Sequence, residues 1–218
     1  MRSPTVLALA FFLPAACHPR PDLPRVLHAY PGSLVPSGAI PGDFVIRQHI
    51  VARPGDDEIS FDAVVQHHDG TLTLLGLTPF GTRAFLLQQQ GTEVEFTSYI
   101  PHELPFPPRY MLFDVHRALF IGVPGAPHPD GAHVGMRDGE EIREVWSGGR
   151  LRERTFRRLD GSPPGVITAR YEGGMAPGRP AEHITYENGW FGYRLIVTTT
   201  SFEVINSATP STPAPGTE

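Results

Sequence analysis

The first half of the chain alternates apolar and polar residues with a period of two, which predicts β-strands. The clearest face consists of Ile59, Phe61, Ala63 and Val65, and the Asp69-Gly70 pair that follows is typical of a hairpin turn. Gly76 predicts a bulge or a close packing contact within its strand. Strands are predicted over five stretches: 44–50, 59–66, 71–78, 82–90 and 92–99.

The pattern changes after these strands. Prolines between residues 100 and 108 exclude an internal strand, and Pro108 suits the first position of a helix. Apolar residues then recur at spacings of three and four, which predicts a helix over 109–121. The Pro/Gly-rich stretch 122–135 is predicted to be a loop.

The second half returns to strand patterns, at 142–146, 151–159, 166–171, 183–186 and 191–199. Strands on both sides of one helix predict a mainly β fold with one or two helices. The expected architecture is a strongly curved antiparallel sheet, a half-barrel, wrapped around a helix. An open sheet of this kind would leave an apolar trough beside the helix.

The chain begins with the features of a secretory signal peptide, predicted over residues 1–16. Arg2 precedes the apolar stretch Val6 to Leu13, and small residues follow. The sequence Leu13-Pro14-Ala15-Ala16-Cys17 resembles a bacterial lipobox, in which the cysteine carries a diacylglycerol. We therefore expect Cys17 to be lipidated and to anchor the protein in a membrane. The alternative is ordinary cleavage, which would leave a soluble secreted or periplasmic protein.

Three further regions follow from composition. Residues 17–41 are rich in proline and predict an extended tether, residues 42–205 form the sheet domain, and residues 206–218 form a disordered tail. His18, rather than an aspartate, follows the cysteine. By resemblance to enteric sorting rules, His18 favours an outer-membrane lipoprotein that faces the periplasm.

Charge and cysteine content exclude several classes of protein. The chain has 218 residues, 18 basic and 23 acidic side chains and a net charge of −5, so binding to nucleic acid is not expected. A single cysteine excludes a disulfide scaffold. The apolar runs are too short for a polytopic membrane protein.

Two segments carry a resemblance to a known family. Leu77-Thr78-Pro79-Phe80-Gly81-Thr82-Arg83-Ala84-Phe85 and Phe106-Pro107-Pro108-Arg109-Tyr110-Met111-Leu112-Phe113-Asp114 resemble an uncharacterised family of bacterial lipoproteins, often encoded near aryl-polyene and fatty-acid-synthase-like gene clusters. The later block His183-Ile184-Thr185-Tyr186 and the stretch 192–197 fit the same family. A looser similarity links the chain to the LolA and LolB lipoprotein carriers, which hold acyl chains in a curved sheet. The resemblance implies an apolar ligand such as a lipid, acyl or aryl-polyene chain, and it implies no catalytic residues.

The candidate ligand site follows from the predicted concave face. Arg83 and Arg109 stand beside the family segments and could clamp a lipid phosphate or carboxylate, although Arg109 could instead pair with Asp114 or cap a loop. A filled core is the alternative for the apolar positions. The residues predicted to line the cavity are Phe85, Leu87, Val94, Phe96, Met111, Leu112, Val115 and Leu119.

No metal site, cofactor or catalytic residue is predicted. The densest histidine groups, His67-His68 and His128 with Asp130 and His133, lack the ligand arrangement of a zinc site. The acid pairs Asp57-Glu58 and Glu140-Glu141 are expected at solvated turns. We therefore expect an envelope lipoprotein that binds or passes on an apolar ligand. The alternative is a non-catalytic assembly protein that binds an envelope partner through a sheet edge.

Overall fold

The computed structural model describes residues 29–54, 58–101 and 107–205. Helix α1 spans Arg109–Val115 and continues as a π-helical turn, His116–Phe120, and Ser37–Ala39 forms a 3-10 turn. The strands of the described residues are β1 (Phe44–Pro54), β2 (Ile59–His68), β3 (Thr71–Leu77), β4 (Arg83–Gln90), β5 (Glu93–Ser98), β6 (Gly131–Arg137), β7 (Glu140–Ser147), β8 (Arg150–Arg158), β9 (Val166–Met175), β10 (His183–Asn188) and β11 (Tyr193–Val204).

All of these strands belong to one antiparallel sheet, in the order β5-β4-β3-β2-β1-β11-β10-β9-β8-β7-β6. The chain runs from the centre of the sheet to the β5 edge and crosses over through α1. It then returns from the β6 edge until β11 pairs with β1. Since β5 and β6 are not paired with each other, the sheet is open. The predicted mainly β fold, with an open antiparallel sheet around one helix, is confirmed.

Contacts from the π-helical turn show how strongly the sheet curves. His116 Nε2 lies 2.8 Å from Oε1 of Gln89 on β4, and the next residue, Arg117, donates to Glu140 on β7 at 2.8 Å. In the sheet order, β4 and β7 are eight strand spacings apart, which in a flat sheet would be about 38 Å. Two neighbouring side chains can reach both strands only because the open sheet curves strongly around the helix.

The core lies between the concave face of the sheet and the helix. Alternate residues of nearly every strand point inward, and Leu112 and Phe113 of α1 join the same buried cluster. The two halves of the sheet contribute to it alike, with fully buried side chains at Val65, Leu72, Leu87, Ile142, Phe156 and Ile167. The helix therefore fills much of the space that the curved sheet encloses.

Part of the predicted tether belongs to this core. Tyr30, Leu34 and Ile40 are buried, so residues 29–41 form a strap that packs into the domain instead of an extended spacer. The prediction failed there because prolines mask the few apolar side chains that the strap buries. The signal peptide 1–16, Cys17 and the tail 206–218 lie outside the described residues.

Strand β6 corrects a second prediction, because it begins inside the stretch 122–135 that was expected to be a loop. Its inward positions include Gly131, His133 and Gly135, so the usual apolar alternation is missing. Gly135 allows close packing, since a Cβ there would lie 3.0 Å from Cδ of Pro124. Small residues at the inward positions thus hid the strand from sequence analysis.

The prediction for Gly76 is confirmed in both of its forms. The register between β3 and β4 shifts between Gly76 and Leu77, as a bulge requires. A Cβ at Gly76 would lie only 2.2 Å from Cε1 of Phe85 on the next strand.

Among the described residues, none of the helices has the length and hydropathy that a membrane span requires.

Candidate functional site

The structure spreads the predicted cavity-lining residues over three environments. Phe85, Leu87 and Leu112 are buried in the core. Phe96 is 39% exposed because it lies on the edge strand β5, with no further strand beside it. Between these extremes, four residues are half-buried and pack against the core: Val94, Met111, Val115 and Leu119.

Half-buried apolar residues also occur on the inner face of the central strands. Ile50 of β1 lies directly opposite Phe61 of β2, and Ala52 lies opposite Leu195 of β11. On the helical segment, Met111, Val115 and Leu119 recur every four residues and so share one side. Both sets pack against the core cluster, and neither is fully buried. We call these side chains the apolar trough: Ile50, Phe61, Met111, Val115, Leu119 and Leu195.

The helix also carries a buried carboxylate, Asp114. Its Oδ1 accepts hydrogen bonds from Tyr30 at 2.5 Å and Tyr186 at 2.8 Å, and its Oδ2 accepts one from Tyr193. Burial raises the pKa of Asp114, and these hydroxyl donors partly offset that effect. Burial also raises the pKa of each of the three tyrosines. The cluster joins the strap, α1 and strands β10 and β11.

Arg117 lies one helical turn further on and is almost completely buried. It donates to Glu140 at 2.8 Å and to the Pro31 carbonyl at 2.8 Å, while its Nε and Nη1 have no hydrogen-bond partner. Aromatic rings surround the guanidinium, with centroids 4.6 Å away at Tyr30 and 5.0 Å away at Trp190. Cation–π attraction therefore compensates for part of the missing hydrogen bonding.

Glu140 corrects the expectation of a solvated acid at a turn. Its side chain is only 5% exposed and pairs with Arg117. Burial raises the pKa of Glu140, and the positive charge of Arg117 opposes that effect. A second buried pair lies beside it, in which Arg154 donates to Glu144 at 2.7 Å and to the Arg117 carbonyl at 3.0 Å. These pairs attach the helical segment to β7 and β8.

His116 connects the helix to the strap. Its Nδ1 accepts from the Val35 amide at 3.0 Å, and its Nε2 lies 2.8 Å from Oε1 of Gln89. Gln89 in turn donates to the Val35 and Gly91 carbonyls at 2.7 Å each. Sequence analysis missed this polar side of the helix, although Asp114, His116 and Arg117 interrupt an apolar segment and could have indicated it.

The histidine groups considered as metal ligands are engaged in other contacts. The ring nitrogens of His67 lie 2.6 Å from the Gly42 carbonyl and 3.1 Å from the Ser37 carbonyl. His128 stacks on His133, and Asp130 accepts from the amides of Gly148 and Gly149. Among the described residues, Asp43, His68 and Asp69 bring potential ligand atoms within 4.8 Å of one another, but mostly at the exposed surface.

The two arginines predicted as lipid clamps are exposed side chains near aromatic rings. The guanidinium of Arg83 lies 6.0 Å from the ring centroid of Tyr99, and that of Arg109 lies 5.7 Å from that of Phe113. The anticipated partner of Arg109, Asp114, is instead buried among tyrosines. Among the described residues, no hydrogen bond, ion pair or ring contact joins either arginine to a trough residue.

A different pair of arginines borders a solvent-open depression of about 400 Å³. Arg53 is the last but one residue of β1 and Arg194 is the second residue of β11, and the two lie directly opposite each other in the register. The remaining lining residues are Glu187, Asn188, Gly189, Gly192 and Tyr193. Sequence analysis missed this site because its arginines lie at opposite ends of the domain.

Comparisons with solved structures find distant likenesses. A LolA superfamily protein from Nitrosomonas europaea is 13% identical, with 76% of this chain and 87% of that one covered and a TM-score of 0.44. A domain assigned as an outer membrane lipoprotein-sorting protein from Vibrio parahaemolyticus is 8% identical, with 78% and 88% covered and a TM-score of 0.40. A DUF1329 family protein from Desulfovibrio piger is 12% identical, with 77% and 88% covered and a TM-score of 0.34.

No curated protein matches the chain. A family model does match, over residues 45–201, and it is described as a protein of unknown function, DUF3261. The match contains both segments that resemble an uncharacterised family, 77–85 and 106–114. The chain therefore belongs to the DUF3261 family.

Proposed function

We propose that this protein binds the acyl chain of an envelope lipid or lipoprotein in the apolar trough. The observation that carries the proposal is the incomplete burial of the trough inside a curved sheet. Apolar side chains at the centre of a sheet are normally covered on the inner face. Here Ile50, Phe61 and Leu195 remain half-buried, as does the side of the helical segment that carries the other three trough residues.

The chemistry of the trough suits a flexible hydrocarbon chain. Its six side chains carry no polar atoms, and Met111 can adapt to an irregular ligand because its thioether side chain is unbranched. Each methylene removed from water contributes roughly 0.8 kcal/mol, so a few buried methylenes are enough for measurable binding. The predicted lining residues Val94 and Phe96 would extend the surface towards the β5 edge.

The proposal includes the location expected from the N-terminus. Lipidation of Cys17 would hold the domain at the outer membrane, on the periplasmic side, where acyl chains are available. The trough would then bind a lipid, a lipoprotein or an aryl-polyene chain, without catalysis. Incorporation of labelled palmitate into the wild type, and its loss in Cys17→Ala, tests the anchor separately from the trough.

Uptake of a fluorescent fatty acid by purified, delipidated protein tests acyl binding. Val115→Asp places a charge in the trough and is expected to abolish uptake. Val134→Asp is the matched control, since Val134 is 55% exposed on β6, and it should leave uptake unchanged. Circular dichroism establishes that both variants fold, and Met111→Gln replaces Val115→Asp if the latter does not. Unchanged uptake in the folded trough variant refutes the proposal.

A second candidate function, docking of an envelope protein at a sheet edge, is favoured by strand β6. Its free edge carries Val134 and Met136, which are 55% and 65% exposed on the outer face. Such an edge can accept a strand from a partner. Crosslinking in intact cells from position 136 would recover one dominant protein if this function holds, and a diffuse pattern would contradict it.

A further inference from the structure

The outer face of the sheet carries a row of alternating charges that crosses several strands. Arg170 lies 3.2 Å from Glu153 and 2.8 Å from Glu187, and Arg194 lies 4.0 Å from the other oxygen of Glu187. Opposite charges on neighbouring strands are a normal means of sheet stabilisation. Up to Arg194, every side chain in the row therefore has an oppositely charged neighbour.

The alternation fails between Arg194 and Arg53. These residues face each other directly across β11 and β1, an arrangement in which like charges destabilise a sheet. Arg53 bonds to Glu58 through Nε alone, at 2.8 Å. Among the described residues Arg194 makes no hydrogen bond, and its one ion pair is the 4.0 Å contact with Glu187. Two guanidiniums thus retain most of their donors for another partner.

Both arginines border the depression of about 400 Å³, so a ligand in that depression could contact their free donors. Two glycines, Gly189 and Gly192, form part of its wall and leave it open. Glu187 also lines the depression, but it is held by Arg170 at 2.8 Å. The arrangement favours a ligand group with negatively charged oxygen atoms, because guanidinium donors match carboxylate and phosphate oxygens.

The depression and the apolar trough contain neighbouring residues of β11. Along β11, Leu195 points into the trough, and the preceding residue, Arg194, points to the outer face. Along β1, Ile50 faces inward and Arg53, three residues later, faces outward. An acyl chain lying against Leu195 and Ile50 would reach the two arginines by passing Tyr193, which also lines the depression.

From this juxtaposition we infer that Arg53 and Arg194 bind the anionic head group of an amphiphile whose acyl chain lies in the trough. The inference rests on the proposed acyl binding and names its ligand class, a lipid with a carboxylate or phosphate head. The head group would replace the missing negative charge in the row. A neutral amphiphile with the same tail would gain nothing from this pair.

Two probes with the same tail and different heads test the inference: a pyrene-labelled fatty acid and the corresponding fatty alcohol. The mature full-length protein is expected to bind the acid about tenfold more tightly than the alcohol, as one charge-assisted contact of this kind provides. The double variant R53Q/R194Q should bind both probes with the affinity of the alcohol. The matched control R143Q/R157Q removes two exposed charges elsewhere on the sheet and should keep the preference.

The possible outcomes separate the two proposals. If neither probe binds, the proposed acyl binding fails and this inference falls with it. If both bind equally to the wild type, or if R53Q/R194Q keeps the preference, acyl binding stands and the head-group site is refuted. Calorimetry with inorganic phosphate alone is expected to show no binding. Phosphate binding that R53Q/R194Q abolishes would identify a free anion as the ligand and overturn the lipid assignment.

Discussion

Substituting His116 should change how the stability of the protein depends on pH. Burial lowers the pKa of His116 from 6.5 to about 3, and the charges of Arg137 and Arg117 add to the effect. The hydrogen bonds agree with a neutral ring, since Nδ1 accepts from the Val35 amide and Nε2 faces the Gln89 carbonyl oxygen. The folded protein therefore resists protonation of a ring that the unfolded chain protonates readily.

The sign and size of the effect follow from proton linkage. Between about pH 3 and pH 6.5 the unfolded chain binds a proton that the folded protein does not, so the free energy of unfolding falls as pH decreases. The contribution of His116 is fully present above pH 6.5. With about 1.4 kcal/mol per pH unit, it is roughly 2 kcal/mol smaller at about pH 5 than at about pH 8.

Urea denaturation of the wild type and His116→Gln at these two pH values measures the effect. Glutamine can accept from Val35 and donate to Gln89, so the variant keeps the contacts and loses the titration. The wild type is expected to lose about 2 kcal/mol more than the variant on acidification. Asp114 and Glu140, whose pKa burial raises, act in the opposite direction in both proteins and cancel in the difference. Equal losses in the two proteins would refute the reasoning.

Two further substitutions test the packing around the helix. Gly76→Ala places a Cβ 2.2 Å from Phe85 and should lower the free energy of unfolding by about 1–3 kcal/mol. The control Gly38→Ala has open space around its new Cβ and should leave the free energy of unfolding unchanged. Equal melting temperatures of the two variants would contradict the close contact at Gly76. Glu140→Gln leaves Arg117 buried without its charge partner and should cost about 3–5 kcal/mol, most of which R117M/E140L is expected to recover. A single variant that melts like the wild type would show that the pair contributes little.

The strand predictions succeeded where one face of the sheet meets the core and the other meets water. In β3, and at Ala63 and Val65 of β2, the inward positions are apolar and buried and the intervening ones are more exposed, so the period of two is visible in the chain. The same logic failed at β6, where glycine and histidine occupy inward positions and where Val123 and Pro124 pack closely against one of them, Gly135. Apolar alternation therefore indicates a strand only when the strand's own side chains fill the core beside it. Where a neighbouring segment fills that space, the alternation is lost.

Sequence analysis predicted where the helix lies but not the buried polar contacts that its side chains make. Apolar spacing indicated the segment from Arg109 onward, and the structure places α1 and the π-helical turn there. Its polar residues were passed over because a buried charge is recognisable only from its partners. The partner of Arg117 is Glu140 on β7, and the donors to Asp114 include Tyr30 from the strap and Tyr186 from β10.

The candidate sites differ in the same way. The predicted lining residues Met111, Val115 and Leu119 could be chosen from helical spacing, and their role in ligand binding stays a prediction. The arginine pair at the depression could not be chosen, since Arg53 and Arg194 become neighbours only when β11 pairs with β1. Arg83 and Arg109 lie within the two family segments, and a position in such a segment gives no information about which residues the folded chain brings together.

Sequence by itself determined the strands that alternate, the place of the helix, the family and the expectation of an exported lipoprotein, because each depends on residues that are close along the chain. Tertiary structure decided how the strap packs, which charges are buried in pairs and which arginines face each other. The strap and the buried pairs depend on the curvature of the sheet, which brings β4 and β7 to opposite sides of one helical turn. The facing arginines depend on the pairing of β11 with β1. Long-range pairing of this kind leaves little trace in local composition or periodicity.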